Sequence, residues 1–235
     1  MNELADRLRE DLTEKGADLV GFADMSHVPE KVRPPLPVAL VFGIVLDARV
    51  IDGIRTGPTR EYYDLYKHTN ARLDAMAQHV SSMLIEAGFQ AIPVLSTIPG
   101  AESFDKATLS TKFSHKMAAT RAGLGWIGKC ALLVTPQYGS AVRFATVLTD
   151  ADLPVGVPIT ESRCGECSNC VAVCPGEAPS GKNWDVAMYR DDFFNAFACL
   201  NGILQHQSDF GFVCGMCIPA CPWTQKYMAP LLSSS

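Results

Sequence analysis

The chain has 235 residues, 48% hydrophobic and 19% charged, with a formal net charge of −5 and a pI near 5.5. That length holds a sizeable core, as one large domain or as a medium and a small one, and the acidic balance argues against a broad nucleic-acid-binding face. The polar start Met1-Asn-Glu-Leu-Ala-Asp-Arg7 lacks a signal-peptide core and no apolar run approaches membrane-spanning length. Clustered cysteines without an export signal then point to a reducing cytoplasm.

Leu4, Leu8 and Leu12 recur four apart and predict an amphipathic helix over 2–15, stopped by Gly16. Residues 17–23 predict a short strand, and Pro29, Pro34, Pro35 and Pro37 mark a loop over 25–37. The continuous apolar run 38–46 predicts a strand buried on both faces. Residues 59–87 contain neither Pro nor Gly and predict a long helix ended by Gly88. A strand over 90–95, a helix over 105–121 and strands over 130–134 and 142–148, around a turn at 136–140, follow. This alternation predicts an α/β domain over 1–158, with Asp152–Pro158 as its connection to a small second domain over 159–235. In that second domain a helix over 182–204 carries Cys199.

The chemistry concentrates in Cys164-Gly-Glu-Cys167-Ser-Asn-Cys170-Val-Ala-Val-Cys174-Pro175, answered by Cys214-Gly-Met-Cys217-Ile-Pro-Ala-Cys221-Pro222. Three cysteines at two-residue gaps, then a fourth after three residues followed by Pro, is the bacterial iron–sulfur run. The fourth cysteine of such a run ligates the other cluster in two-cluster ferredoxins. The spacing therefore predicts Cys164, Cys167, Cys170 and Cys221 on one 4Fe-4S cluster. Cys174, Cys214 and Cys217 belong to a second 4Fe-4S cluster, and Cys199 supplies its missing ligand. Cys130 is left over. Zinc sites pair two separated knuckles rather than packing three ligands at two-residue gaps, and disulfide frameworks suit short secreted chains, so both are disfavoured.

Gly123-Leu-Gly125-Trp126-Ile-Gly128-Lys129 matches G-x-G-x-x-G, which binds dinucleotides when it follows a strand and opens a helix. Here a helical pattern runs in and a strand comes out, so a nicotinamide site is disfavoured. The glycines permit either close backbone packing or, as the preferred reading, a planar cofactor lying against the main chain beside Trp126 and Lys129.

The run His115-Lys-Met-Ala-Ala-Thr-Arg-Ala-Gly-Leu-Gly-Trp-Ile-Gly-Lys129, then Leu148-Thr-Asp150 and the eight-cysteine pattern, resembles the epoxyqueuosine reductase family over nearly the whole chain. The resemblance, shared with the related reductive dehalogenases, implies a nitroreductase-like α/β domain holding base-off cobalamin, joined to a two-cluster ferredoxin-like domain. A flavin, used by other nitroreductase-like proteins, is the less favoured occupant. Electrons from a ferredoxin- or flavodoxin-type donor would pass through the clusters to cobalt, and the reduced corrinoid would act on a substrate. The chain also departs from the family. Its acidic residue followed by Ser/Thr-Ala-Pro, the proton donor, falls here on Leu109-Ser110-Thr111-Lys112, and the chain ends twelve residues after Trp223, leaving no helical-repeat extension. With an acidic net charge besides, the expected substrate is a small molecule rather than tRNA.

Two candidates then remain for the proton source, His115 and Asp105, imidazole titrating in the useful range. A capping role after Ser114 is the plainer account of His115, and Asp105 requires a shifted backbone. Tyr62, Tyr63 and Tyr66 read as a core stripe or a cofactor face, Lys129 as a phosphate or amide contact or a solvated lysine, and Arg143 as the exposed face of a strand. Cys130 reads as a small buried hydrophobe or a reactive thiol. The sequence thus predicts an oxidoreductase, an iron–sulfur, cobalamin-dependent reductase. One alternative is a two-cluster electron-transfer protein serving a partner enzyme or corrinoid protein. The other is an authentic epoxyqueuosine reductase acting on tRNA with a relocated acid.

Overall fold

A computed structural model of the chain describes residues 2–96, 104–206 and 211–233. It divides into two compact units, each assembled from non-contiguous pieces. The first comprises residues 1–45, 69–124 and 143–159, and the second residues 46–68, 125–142 and 160–235.

The first unit begins with α1, Glu3–Glu14, where the Asn2 side chain accepts from the Ala5 N–H at 3.1 Å and caps the helix. Its apolar stripe buries Ala5, Leu8 and Leu12, and Gly16 stops it at φ +90°. β1, Leu19–Asp24, pairs antiparallel with β2, Val38–Val45, from Leu19↔Gly43 to Asp24↔Val38. Further on come α2, Ala48–Asp52, α3, Arg60–Glu86, and β3, Ala91–Val94. A two-residue hairpin of β4, Phe104–Asp105, and β5, Ser110–Thr111, precedes α4, His115–Arg121. β6, Trp126–Ile127, pairs with β7, Leu133–Val134, and β8, Val142–Thr149, completes the four-stranded sheet of order β1-β2-β8-β3. Every residue of β2 from Ala39 to Ile44 is buried. Leu40 and Phe42 join Leu8, Leu12, Leu73, Val80 and Leu84 in one core, while α4 packs against β1 and β2. Burial of each such large side chain contributes roughly 1.5–3 kcal/mol.

The helix expected over 105–121 is a hairpin followed by a seven-residue helix. Leu109 sits at φ +50°, where an L-residue cannot continue a helix, and Asp105 accepts from Ala107 N–H at 2.8 Å to hold a turn. Helix α4 starts where the Ser114 side chain accepts from Met117 N–H.

The second unit gathers Leu46, Val50 and Ile51 of the α2 region, Ile54, Tyr62 of α3, Ala141, Val213, Ile218 and Met228 into its own core. Short helices α5, Asn169–Ala172, and α7, Cys217–Ala220, carry the cysteine runs and pack on one another. Between them lies α6, Ala196–Gln205, and after them α8, Pro222–Ser233, whose Tyr227 hydroxyl donates to Leu46 O at 3.0 Å. The expected helix over 182–204 is thus limited to α6, preceded by a 3-10 turn at Arg190–Asp192. The expected division at 158/159 falls within one residue of the last junction, since Gly156 N–H donates to Phe22 O and Ile159 N–H to Thr120 O, both in the first unit. It misses segments 46–68 and 125–142, which belong with the cysteines. A short segment rich in cysteine buries little apolar surface by itself and draws its core from elsewhere in the chain. Among the described residues no helix is long and apolar enough to cross a membrane.

Candidate iron–sulfur site and its surroundings

Each cysteine run folds as a turn feeding a one-turn helix. Gly165, at φ +55°, and the Cys167 N–H···O Cys164 bond of 3.1 Å curl the first loop, α5 carries Cys170, and Cys174 follows it. The second run repeats this: Gly215 at φ +79°, Cys217 opening α7, Cys221 after it, and Pro222 at the start of α8, where its missing N–H is harmless. The Asn169 amide donates to Ala220 O at 3.4 Å, tying α5 to α7.

Cys164, Cys167, Cys170 and Cys221 line one cavity of about 130 Å³ with Gly128, Lys129, Cys130, Val134, Pro222 and Trp223. Cys221 therefore stands with the first run. Among the described residues no three His, Cys, Asp or Glu side chains close to the spacing of a single-ion site; these thiols ring a space instead. That space is smaller than the roughly 300–1,000 Å³ of pockets for drug-sized ligands, and it suits a compact inorganic core with thiolate corners.

The other four cysteines of the expected ligand set are Cys174, Cys199, Cys214 and Cys217. Cys174 and Cys214 are electrostatic neighbours, and Ala178 N–H points at the Cys174 sulfur at 3.4 Å. Cys199 reaches this region because α6 crosses the chain just past Cys174. A Cβ on Gly176 would stand 2.0 Å from Ala198 O, and one on Gly202 2.7 Å from Gly176 N. Cys217 and the Cys130 thiol are electrostatic neighbours. Burial pushes the thiols of Cys214 and Cys221 up, and the Cys130 contact followed by burial pushes Cys170 far up. Neutral thiols are thus favoured until a metal ion binds, since a coordinating thiol is deprotonated outright.

The positions nominated for a cofactor face are filled by the chain's own atoms. A Cβ on Gly123 would meet Val157 O at 2.7 Å, one on Gly125 Val134 O at 2.3 Å, and one on Gly128 the Val134 side chain at 2.8 Å. Trp126 is fully buried, edge-on to Trp223 at 4.9 Å and under the Arg163 guanidinium at 5.5 Å, with no hydrogen-bond partner for its Nε1 among the described residues. Lys129 is 5% exposed and donates from Nζ to Gly165 O at 2.8 Å, an oxygen that Asn183 also holds at 3.1 Å. The lysine is neither solvated nor open to a phosphate: it props the Cys164–Cys167 loop and places a cation on the cavity wall. The periodicity of residues 123–129 carried no sign of this contact.

His115 and Asp105 belong to the chain's first unit, and the cysteines to the second. The His115 Nε2–H donates to Leu95 O at 3.0 Å, and its Nδ1 accepts from the Thr146 hydroxyl at 2.8 Å. Burial lowers its pKa to about 4, so at neutral pH the ring is uncharged and its one proton is engaged. Asp105 accepts from Thr108 Oγ1 at 2.7 Å, and that hydroxyl, with the Ala107 N–H, holds the carboxyl below its usual range. An ionised, turn-forming carboxylate accepts protons poorly and donates none. Tyr62 lies in the second unit's core with Tyr63 and Tyr66 against it, which makes the tyrosine stripe core. Arg143 is half-buried and donates to Asn70 Oδ1 at 2.9 Å, so it is no free strand face.

No protein-family model matches the chain. Curated relatives do: the epoxyqueuosine reductase of Cellulophaga algicola is 27% identical over 172 residues, covering 69% of this chain and 49% of that protein. The epoxyqueuosine reductase of Gloeobacter violaceus is 32% identical over 125 residues, covering 48% of this chain and 36% of that one. The chain therefore spans less than half the length of either. Among solved structures, epoxyqueuosine reductase from Bacillus subtilis aligns with a TM-score of 0.59 at 20% identity, covering 95% of this chain and 66% of that one. A reductive dehalogenase whose structure suggests a mechanism for B12-dependent dehalogenation aligns with a TM-score of 0.65 at 18% identity, covering 93% and 32%. The fold is thus the mixed α/β fold that reductases of these two kinds share. In sequence the chain is similar to epoxyqueuosine reductases.

Proposed function

We propose that the chain is an iron–sulfur oxidoreductase carrying two 4Fe-4S clusters that feed electrons to a corrinoid, with a small molecule rather than tRNA as substrate. The observation that carries this is the convergence of Cys164, Cys167, Cys170 and Cys221, from both runs, on one small cavity. Bound there, clusters supply one-electron transfer, and a corrinoid supplies the centre that meets substrate. The chain's own part is to present eight thiols: four around the cavity, and Cys174, Cys199, Cys214 and Cys217 in the second set. Lys129 and Asn183 hold the first loop through Gly165 O, and Val134, Pro222 and Trp223 keep the cavity wall apolar.

Corrinoid dependence rests on kinship with the family and on the B12-dependent dehalogenation described for the structural relative. Residues 123–129 lend it no support, because the chain itself fills the space beside their glycines. That observation favours a second reading, a two-cluster electron-transfer protein serving a partner enzyme or corrinoid protein. Anaerobically purified chain is expected to hold eight irons and eight acid-labile sulfides and to develop sharp corrinoid bands on adding cobalamin. Iron with no cobalamin uptake would select the carrier; zinc in place of iron would end both readings.

A further inference from the structure

Where the two cysteine helices of the second unit meet, α5, α7 and the first turn of α8 enclose a cleft of about 300 Å³. It shares no lining residue with the cavity ringed by Cys164, Cys167, Cys170 and Cys221, and its size reaches the lower end of ligand pockets. Four of its lining residues each precede an expected ligand: Asn169 before Cys170, Val173 before Cys174, Met216 before Cys217 and Ala220 before Cys221. Cys170 and Cys221 belong to the first set, Cys174 and Cys217 to the second. Consecutive Cα atoms are about 3.8 Å apart, so a group seated in the cleft lies one residue away from ligands of both sets.

The cleft is braced from within. The Asn169 amide of α5 donates to Ala220 O at 3.4 Å, and the Gln225 amide of α8 donates to Pro219 O at 3.1 Å, which ties all three helices together. Its remaining walls are mostly apolar, and its lip opens to solvent at Asn169 and Ala172, both exposed. Arg55 is the one charged residue that lines it, with Nε and Nη2 each 2.7 Å from Asp52 Oδ1 and the side chain 48% exposed. Resting on the two-cluster reading above, we propose that this cleft is the electron-entry site, where a flavodoxin-type donor docks with the edge of its flavin between α5 and α7. A slot with apolar walls receives a protruding planar edge, whereas a cluster enclosed by its own cysteine loops has no such edge to insert. The Arg55 cation complements an acidic donor surface, and such complementarity speeds encounter and fixes orientation. One electron leaves the fully reduced flavin and enters one oxidised centre, with no bond formed or broken.

The test is stopped-flow reduction of the iron-loaded full chain by two reductants, fully reduced flavodoxin and dithionite, with calorimetry of oxidised flavodoxin binding alongside. Wild type is compared with Ala172→Trp, which fills the lip, with Arg55→Glu, and with Val186→Trp, at a 57% exposed position outside the cleft. In Ala172→Trp, wild-type iron content and dithionite rate are expected, with flavodoxin reduction and affinity both down by about tenfold or more, the loss of one good contact. Arg55→Glu should weaken flavodoxin binding and leave the dithionite rate alone, and Val186→Trp should match wild type throughout. An unchanged flavodoxin rate in Ala172→Trp, an equal fall with dithionite, or no flavodoxin binding by the wild type would overturn the proposal. So would a two-cluster ferredoxin that loses as much as flavodoxin in Ala172→Trp. Should Ala172→Trp fail to fold, an unchanged flavodoxin affinity in Arg55→Glu decides against the cleft. Wild-type chain without iron would instead sink the two-cluster reading, a failure the iron assay separates from lost docking.

Discussion

His115 shows how one residue's environment decides its chemistry. With a proton held by Leu95 O and a hydroxyl hydrogen received from Thr146, the imidazole is built into the first unit as a neutral strut. Its folded pKa, about 4, lies below the ordinary value of 6.5. The fold therefore favours the neutral ring. This contribution is fully present above pH 6.5 and is lost as pH falls from there towards 4. At 1.36 kcal/mol per pKa unit, it amounts to at most about 3 kcal/mol. Amide hydrogen exchange in α4 and β8 is expected to show about 2 kcal/mol less protection at pH 5 than at pH 7.5 in the wild type. In His115→Gln the same amides should be weaker at both values and nearly indifferent to pH. A wild-type profile as flat as the variant's would count against the buried neutral ring.

At the scale of elements, the crossing of α6 over the chain beyond Cys174 depends on two glycines meeting face to face. A methyl group on Gly176 would stand 2.0 Å from Ala198 O, a backbone atom that cannot swing aside. Gly176→Ala is expected to push α6, and Cys199 with it, off the second set, lowering iron from eight to about four per chain while the first centre's spectrum survives. Gly181→Asn is the control, since Gly181 is at φ +86°, an added Cβ there meets nothing within 4 Å among the described residues, and Asn tolerates that conformation. Equal iron in Gly176→Ala and the control would remove Cys199 from the ligand set. This crossing was not legible in the sequence, whereas α1, β2 and α3 were. Those three carry their own signals: leucines four apart ahead of Gly16, an unbroken apolar run, and 27 residues without Pro or Gly closed by Gly88 at φ +92°. The segment 105–121 misled because its apolar spacing outweighed the Ser114 cap, and residues 182–195 because composition alone says little about irregular backbone. The cysteine spacing was the strongest signal of all, and Cys221 lines one cavity with Cys164, Cys167 and Cys170. The spacing left Cys130 over, since the cysteines with which it lines the cavity stand 34 to 91 positions further along the chain.

On the scale of the whole molecule, two units share one chain but not one source of stability. The first has a sheet with α1, α3 and α4 against it and a core of large side chains such as Phe22, Phe42, Leu73 and Leu84. The second holds its cysteine loops with helices of four residues, α5 and α7, far below the length at which a helix is stable by itself. Metal binding energy is folding energy where ligands lie on such loops, because the unfolded chain offers no ready site. Stripping iron with a chelator under anaerobic conditions is therefore expected to release hydrogen-exchange protection in α5, α6 and α7, leaving α1, β2 and β8 at their loaded values. Two separate melting transitions should replace one, with the lower belonging to the second unit. Segment 46–68 refines this expectation. Ile51, Ile54 and Tyr62 are buried in the second unit's core, so their protection should fall with the cysteine loops, while Leu73 to Leu84 of the same helix α3 stay protected. Loss of protection spread evenly along α3 would mean that the two cores stand or fall together and that the clusters brace the entire chain.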